Sequence, residues 1–444
     1  MKLRRKIKVG LLLLFFIGLL YSIVKYQDFM TPPSSRLQSG NYYDNMPPDT
    51  SHIYLQLPLD HKDPNKGNYT GFYILSPNFK KGKPVIFQLY DNQQEKVSPF
   101  SGSKGFEEFD EVVGKNNQYV VIGNRGVPPT IFPELFDTKG NTDISKALQL
   151  YGSEQQVEDI EAVRLDMQQK GLLPSDGKIM VLGGSGGGFL VQQYLNKYGE
   201  HVSRALIESS SAPDLCLQLN LPFAKNFNES NAIGARLYDQ LYKNKEIELG
   251  LNWILFKVGL EGDTALQNSI LRKESNWINI KKHLKRLSIP NNSFVIKKIF
   301  HSPSTLEVRV RIWELIGADL IKYHPTNEND YNLMYASMIE FLPDFMEAYE
   351  NKKISVPSFN INREKYAGEM MIWANTGDQD FGSSRANLLI KEYSNSKLIV
   401  FNGATHRIKK SQWHYDLLEA YFTNGFNTED FKELLKMGDS VLGK

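Results

Sequence analysis

The sequence predicts an α/β protein, a mostly parallel, doubly wound sheet interrupted by an inserted helical cap. Three observations predict it. Short, continuous apolar runs such as Pro84–Leu89 and Tyr119–Ile122 have the character of strands buried on both faces. They alternate with helical patterns at the spacing of parallel β-α units. That rhythm stops near Pro213 and resumes at Met370, and the stretch between is helical in pattern and rich in aromatics, among them Trp253, Phe256, Trp313 and Phe341. A chain of 444 residues is long enough for one large domain carrying such an insertion.

From the N-terminus, residues 1–8 are basic, with Lys2, Arg4, Arg5, Lys6 and Lys8. Residues 9–24, VGLLLLFFIGLLYSIV, carry no charge and would span about 24 Å as a helix. No small-residue cleavage site follows them. The reading is a transmembrane anchor with the globular part outside the cytoplasm, the alternative being a cleaved signal and a secreted protein. Residues 25–50 hold Pro32, Pro33, Gly40, Pro47 and Pro48 and read as a linker. The first part of the core, 51–212, begins with strand patterns at Ile53–Leu57 and Tyr69–Leu75 and continues with Pro84–Leu89 and Tyr119–Ile122. Ser153 and Gln156 have the spacing of a capping box, and Val157, Ile160, Val163 and Met167 mark one face of the helix that follows. Lys178–Leu182 is a strand, Phe189–Tyr198 a helix, and Ala205–Ile207 another buried strand. The helical cap occupies 213–355, and the second core part, 356–444, brings strands at Met370–Ala374 and Leu398–Phe401 with helices around them.

One junction in this pattern carries chemistry. The apolar run Ile179–Leu182 ends in GGSGGG and a helix begins at once, so Ser185 stands at the apex of a strand-turn-helix. The spacing Gly183-x-Ser185-x-Gly187 is that of a nucleophile elbow, in which glycines are needed because neighbouring Cβ atoms would collide with strand or helix. The N–H of Gly186, at a helix N-terminus, is placed to meet a developing oxyanion. A phosphate-binding reading fails, since the loop has no Lys, and a dinucleotide reading fails at Phe189, where a glycine is required.

A serine hydroxyl needs a base, and the base needs an acid to hold its tautomer. NTGDQDFGSS, after the strand Met370–Ala374, offers Asp378 and Asp380; FNGATHRI, after Leu398–Phe401, offers His406. Both loops follow parallel strands, where sites of open α/β sheets form. The order serine, acid, histidine is that of α/β-hydrolases. Asp378 and Asp380 also precede a helix, so turn and cap roles compete for them. The net charge of +2 argues against nucleic acid as a partner. One cysteine, Cys216, excludes an internal disulfide, and eight histidines without an HExxH pair give no zinc site, so no metal or cofactor is expected.

With these blocks in place the chain resembles the serine aminopeptidases of the α/β-hydrolase fold, the prolyl iminopeptidases and the tripeptidyl aminopeptidase-like group, across roughly residues 52–215 and 365–425. LPLDHKDPNKGNYTGFYI (Leu57–Ile74) is similar to their opening strand pair, IGNRG (Ile122–Gly126) to their D-x-R-G turn, DIEAVRLDM (Asp159–Met167) to the helix before the elbow, and GGSGGGFL to the nucleophile block. The resemblance implies a Ser185, Asp380, His406 triad, since the family's acid sits three residues after a glycine, as Asp380 does after Gly377. It also implies an oxyanion hole from Gly186 and a backbone donor at Tyr90 or Asp91. Trp313-Glu314 looks like the family's Trp-Glu pair, whose carboxylate binds a substrate's α-ammonium; a surface Glu beside a core Trp is the competing reading. Two positions depart from the family: Leu89–Gln94 replaces its Gly-rich oxyanion loop, and Gly123 stands where its turn carries Asp. The expected function is a serine hydrolase releasing residues from the free N-termini of peptides. An esterase, or a catalytically silent binding protein of the same fold, is the alternative.

Overall fold

The computed structural model describes residues 52–91, 106–126, 132–137, 141–248, 250–274, 305–403 and 405–438. The expected basic N-terminus, the apolar run 9–24 and the linker 25–50 lie outside these residues. Among the described residues no helix is long and apolar enough to cross a membrane.

Eight strands form one sheet: β1 (His52–Pro58), β2 (Asn68–Leu75), β3 (Ile86–Gln88), β4 (Tyr119–Ile122), β5 (Ile179–Gly184), β6 (Val202–Glu208), β7 (Glu369–Asn375) and β8 (Ser396–Phe401). Their order across the sheet is β1-β2-β4-β3-β5-β6-β7-β8. β1 and β2 pair antiparallel and β2 pairs antiparallel with β4, while every pairing from β4 to β8 is parallel. This is the sheet of the α/β-hydrolase fold. The apolar runs alternate between two buried faces, as a period of two requires. Val181, Ala205, Ile207 and Ile372 join one core, and Met180, Leu182, Leu206 and Trp373 the other.

The helices described are, in chain order, α1 (Phe106–Val113), α2 (Ile144–Tyr151), α3 (Ser153–Gln169), α4 (Gly186–Tyr198), α5 (Pro213–Gln218), α6 (Phe227–Ser230), α7 (Ala232–Lys243), α8 (Leu251–Leu260), α9 (Thr264–Leu271), α10 (Leu306–Leu320), α11 (Leu333–Ile339), α12 (Pro343–Glu350), α13 (Gly382–Glu392), α14 (Gln412–Asn424) and α15 (Glu429–Met437). α3, α4 and α13 cover one face through Val157, Val163, Leu190, Tyr194 and Leu389. α1, α14 and α15 cover the other through Phe109, Val113, Leu417, Tyr421 and Phe431. Every regular element described between 213 and 355 is helical, and its core is continuous with residues of the sheet region, including Leu57, Tyr69 and Phe189.

α10 runs through that shared core. Thirteen of its fifteen residues are buried, among them Glu307, Arg309, Arg311 and Glu314. A helix buried all round must settle its charges internally. Arg309 pairs with Asp344 of α12, and Arg311 and Glu314 pair with each other.

The capping box expected at Ser153 is not formed. The N-cap of α3 is Gly152, and the Ser153 N–H and hydroxyl both donate to Glu314 Oε1, at 2.8 and 3.0 Å. A carboxylate from α10 thus takes over the first donor of α3, where the helix dipole favours a negative charge.

The blocks IGNRG, LPLDHKDP and DIEAVRLDM meet at one buried ion pair. Arg125 donates to both Asp159 oxygens at 2.6 Å, and also to the carbonyls of Leu59 and Leu150. Asp159 accepts as well from the Tyr69 hydroxyl and bonds the His61 ring. Gly123, in the same turn, lies so close to Phe72 that a Cβ there would stand 2.1 Å from the ring, so the aromatic fills the place of a side chain.

Removing one partner of such a pair leaves a buried charge unbalanced. Asp159→Asn is therefore expected to lower the unfolding free energy by about 3–5 kcal/mol. Urea denaturation checks this, and a change under about 1 kcal/mol would refute the role given to the pair.

Candidate functional site

Ser185 sits at φ 53°, ψ −125° between β5 and α4. The glycines of the spaced motif are needed for contact: a Cβ on Gly183 would lie 2.3 Å from the Gly187 carbonyl oxygen, and one on Gly187 would lie 2.4 Å from that of Leu89. Gly184, outside the spacing, has room for a side chain. The Ser185 N–H donates to the Glu208 carbonyl at 2.9 Å, and its own carbonyl accepts from Gly188 N–H and the Ser210 hydroxyl. The Ser185 backbone is thus tied at both ends, while its partly exposed side chain makes no hydrogen bond among the described residues.

His406 is placed by its loop. Its N–H donates to the carbonyl of Leu260 at the end of α8, and its ring lies against Phe381. Nδ1 is 3.0 Å from Asp378 Oδ2. With Nδ1–H donating to the carboxylate, the Nε2 lone pair is left for a proton. Lys410, four residues on, bonds Glu208 Oε2 at 2.7 Å. The histidine loop and the Ser185 N–H therefore both engage Glu208, at the end of β6.

The acid on His406 is Asp378, not Asp380 as the family spacing implied. Asp378 Oδ1 accepts the backbone N–H groups of Asp380 and Phe381, an Asx-type turn into α13 that leaves Oδ2 for the imidazole. Asp378 thus combines the turn role with the orienting role. Asp380 is buried beside it, and its carboxylate makes no hydrogen bond among the described residues. One oxygen of each aspartate and one ring nitrogen of His406 lie within 4.8 Å of one another. That spacing suits a cation by distance, but the Asp378 oxygen is engaged by the imidazole, and Lys257 and Lys225 already place positive charge there.

These charges set the proton affinities. Burial pushes Asp380 up, to about 7, against the pull of His406, Lys257 and Lys225. Burial opposes the imidazolium, but Asp378 and then Asp380 outweigh it and raise His406 to about 9. Lys257, held over the Trp253 ring, is lowered to about 8 by burial, with Asp380 opposing. Lys257 is the one charged residue in α8, LNWILFKVGL, a signal that sequence reasoning passed over.

The loop after β3 passes directly over the elbow. The Tyr90 carbonyl accepts from Asn124 Nδ2 at 2.9 Å, and its hydroxyl donates to Gln88. In a trans peptide this turns the Asp91 N–H to the side opposite Asn124. A Cβ on Gly187 would stand 3.6 Å from the Asp91 nitrogen, so this donor lies beside Gly187. The rest of the loop expected to replace the Gly-rich segment, residues 92–94, lies outside the described residues. The Asp91 side chain is fully buried and bonds Arg311, a residue the sequence reading did not single out.

The expected ammonium-binding pair is buried and engaged internally. Glu314 accepts from Ser153 and Arg311, and Trp313 is fully buried against Phe345 and Tyr349 with Nε1 on the Ser355 carbonyl. Burial lifts Glu314 above the usual carboxylate range, with Arg311 and Ser153 opposing. The i,i+3 spacing of Arg311 and Glu314 was visible in the sequence and points to pairing along the helix.

No protein-family profile matches the chain, and no curated protein matches it. Among solved structures it is similar to an esterase from Exiguobacterium antarcticum, at 15% identity and a TM-score of 0.41, covering 80% of this chain and 96% of that one. It is similar also to a serine hydrolase from Cycloclasticus zankles, at 13% identity and 0.40, covering 85% and 100%. A proline iminopeptidase from Mycobacterium smegmatis follows at 11% and 0.36, covering 86% and 100%. Likeness at this level carries nothing about activity.

Two outcomes are expected from the acid pair. Asp378→Asn, which loses the correct imidazole tautomer, should lower kcat by roughly three to four orders of magnitude, and Asp380→Asn by far less; equal losses in steady-state assays would return the orienting role to Asp380. The pH dependence has a definite sign. His406 must be neutral to accept a proton, and it is raised to about 9, so kcat/KM should climb with pH through the range above 7. Asp380→Asn removes a charge that raises His406, so the rising limb should move to lower pH.

Proposed function

We propose that the protein is a serine hydrolase working through an acyl-enzyme. The observation that carries this reading is Ser185 held at positive φ on an elbow, with a buried Asp378–His406 pair whose loop shares Glu208 with it. Ser185 Oγ attacks a carbonyl carbon, and its proton passes to His406 Nε2 and then to the leaving group. Asp378 holds Nδ1 and stabilises the imidazolium. The N–H of Gly186 and a backbone donor at Tyr90–Asp91 receive the oxyanion. Water, activated by the same histidine, then releases the acid and restores Ser185.

The finer reading is an aminopeptidase, taking peptides with a free N-terminus and anchored to a membrane by residues 9–24. With Glu314 engaged internally, the unbonded Asp380 is the carboxylate that supports it, because above its raised value of about 7 it would present a negative charge to an α-ammonium bound near His406. The same withdrawal of Glu314 favours a second reading, an esterase with no demand for an amine.

A fluorophosphonate probe should label the folded protein, and labelling should vanish in Ser185→Ala. Failure to label would discard the hydrolase reading altogether. Rates on aminoacyl-p-nitroanilides, their N-acetylated forms and p-nitrophenyl esters then separate the substrates. Cleavage of the free-amine anilides alone supports the aminopeptidase, and turnover confined to esters replaces it with the esterase.

A further inference from the structure

The loop opposite Ser185 lacks the glycines its family uses, yet something must aim its backbone. Arg311 of α10 reaches it from the helical block. Its Nε donates to Asp91 Oδ2 at 3.1 Å and its Nη2 to the Gly186 carbonyl at 3.0 Å. Nη1 donates to Gln193 Oε1 and Glu314 Oε2, at 3.2 and 3.1 Å. Glu314 and Gln193 are themselves fixed through Ser153, the latter by Nε2 donating to its hydroxyl at 2.7 Å. The guanidinium is about 1% exposed and its plane is therefore clamped on three sides.

In the serine hydrolase reading, the N–H of Gly186 and a backbone donor at Tyr90–Asp91 are the groups that would flank a substrate carbonyl at Ser185. A single planar cation thus grips one group on each side of the gap, a task its fork geometry permits and a lysine's point charge does not. The pairing also neutralises the Asp91 carboxylate, which unpaired would face the negative charge developing nearby.

We propose that Arg311 is a positioning residue for the oxyanion hole, replacing backbone glycine geometry with a side-chain tether between the loop after β3 and the elbow. The proposal rests on the serine hydrolase reading, and its test keeps the two apart. Fluorophosphonate labelling of wild type reports on the reading itself. If wild type does not label, that reading fails, and the tether with it. Given labelling, Arg311→Lys and Asp91→Ala should each lower kcat 10²–10³-fold, the range for a misplaced oxyanion donor, with KM within about twofold. Their rates of fluorophosphonate labelling should fall in parallel. The double variant should be little worse than the poorer single one, because the two side chains act as a unit. Arg309→Lys, which alters the other buried pair of the same helix, is the control and should leave kcat unchanged while costing comparable thermal stability. If a folded Arg311→Lys or Asp91→Ala keeps kcat within threefold of wild type, or if the two losses simply add, the tether is overturned. A purely structural role would also show itself, since Tm would then fall without the split between kcat and KM. Should Arg311→Lys not fold, Asp91→Ala alone decides by the same threshold.

Discussion

The backbone of Ser185 is the constraint on which the rest of this structure depends. A serine at φ 53°, ψ −125° stores of order 1–3 kcal/mol of strain and persists only where its surroundings over-determine it. Here they do so from several sides. β6 takes the Ser185 N–H, Ser210 and α4 take its carbonyl, and the close approach of Leu89 to Gly187 leaves the turn no room to relax. The sheet supplies two of these restraints directly, since β3 and β6 are the neighbours of β5. The inserted block supplies another through Arg311 on the Gly186 carbonyl.

The same dependence explains why distant stretches of chain matter. Arg125 and Asp159 join the turn after β4 to α3, and His61 and Tyr69 bring in the opening strand pair. Three segments that look unrelated along the chain are thereby one buried network under the elbow's helix layer. Residues Leu59 and Leu150 contribute only carbonyls to it, so their side chains gave no warning of the contact.

That contrast shows what was legible in the sequence and why. The strands were, because residues such as Val181, Leu206 and Ile372 are buried on both faces and leave uninterrupted apolar runs. So was the elbow, where Gly183 answers to Gly187 four residues on, although Gly187 answers to Leu89 of a distant strand end. The choice between Asp378 and Asp380 was not, because two positions apart in a turn the deciding factor is which carboxylate the Asx hydrogen bonds rotate toward the imidazole. Nor was the burial of Glu314. Arg311 lies one turn back on the same helix, but Ser153 reaches Glu314 only when α10 threads the core, and a Trp-Glu dipeptide reads the same on a pocket wall as inside. Ser153 misled for the matching reason: its helix start is capped from another element rather than from its own third residue.

Charge, more than shape, distinguishes the two ends of the site. The His406 end holds two aspartates against one imidazole and the lysines 225 and 257, while the Gly186 end holds Asp91 against Arg311. At the first end the carboxylates raise His406 and keep its imidazolium favourable, which in the proposed mechanism would help the step in which the base has taken a proton and slow the step in which it must lose one. At the second end the cation balances the Asp91 carboxylate and holds the Gly186 carbonyl. In the proposed hydrolase, the negative charge forming on a substrate carbonyl would thus be created between a stabilised imidazolium and an aspartate balanced by Arg311. In a buried site, where charges are screened weakly, such a separation would favour the transition state over the neutral substrate, and on that proposal the arginine that the inserted helix carries to the elbow is what maintains it.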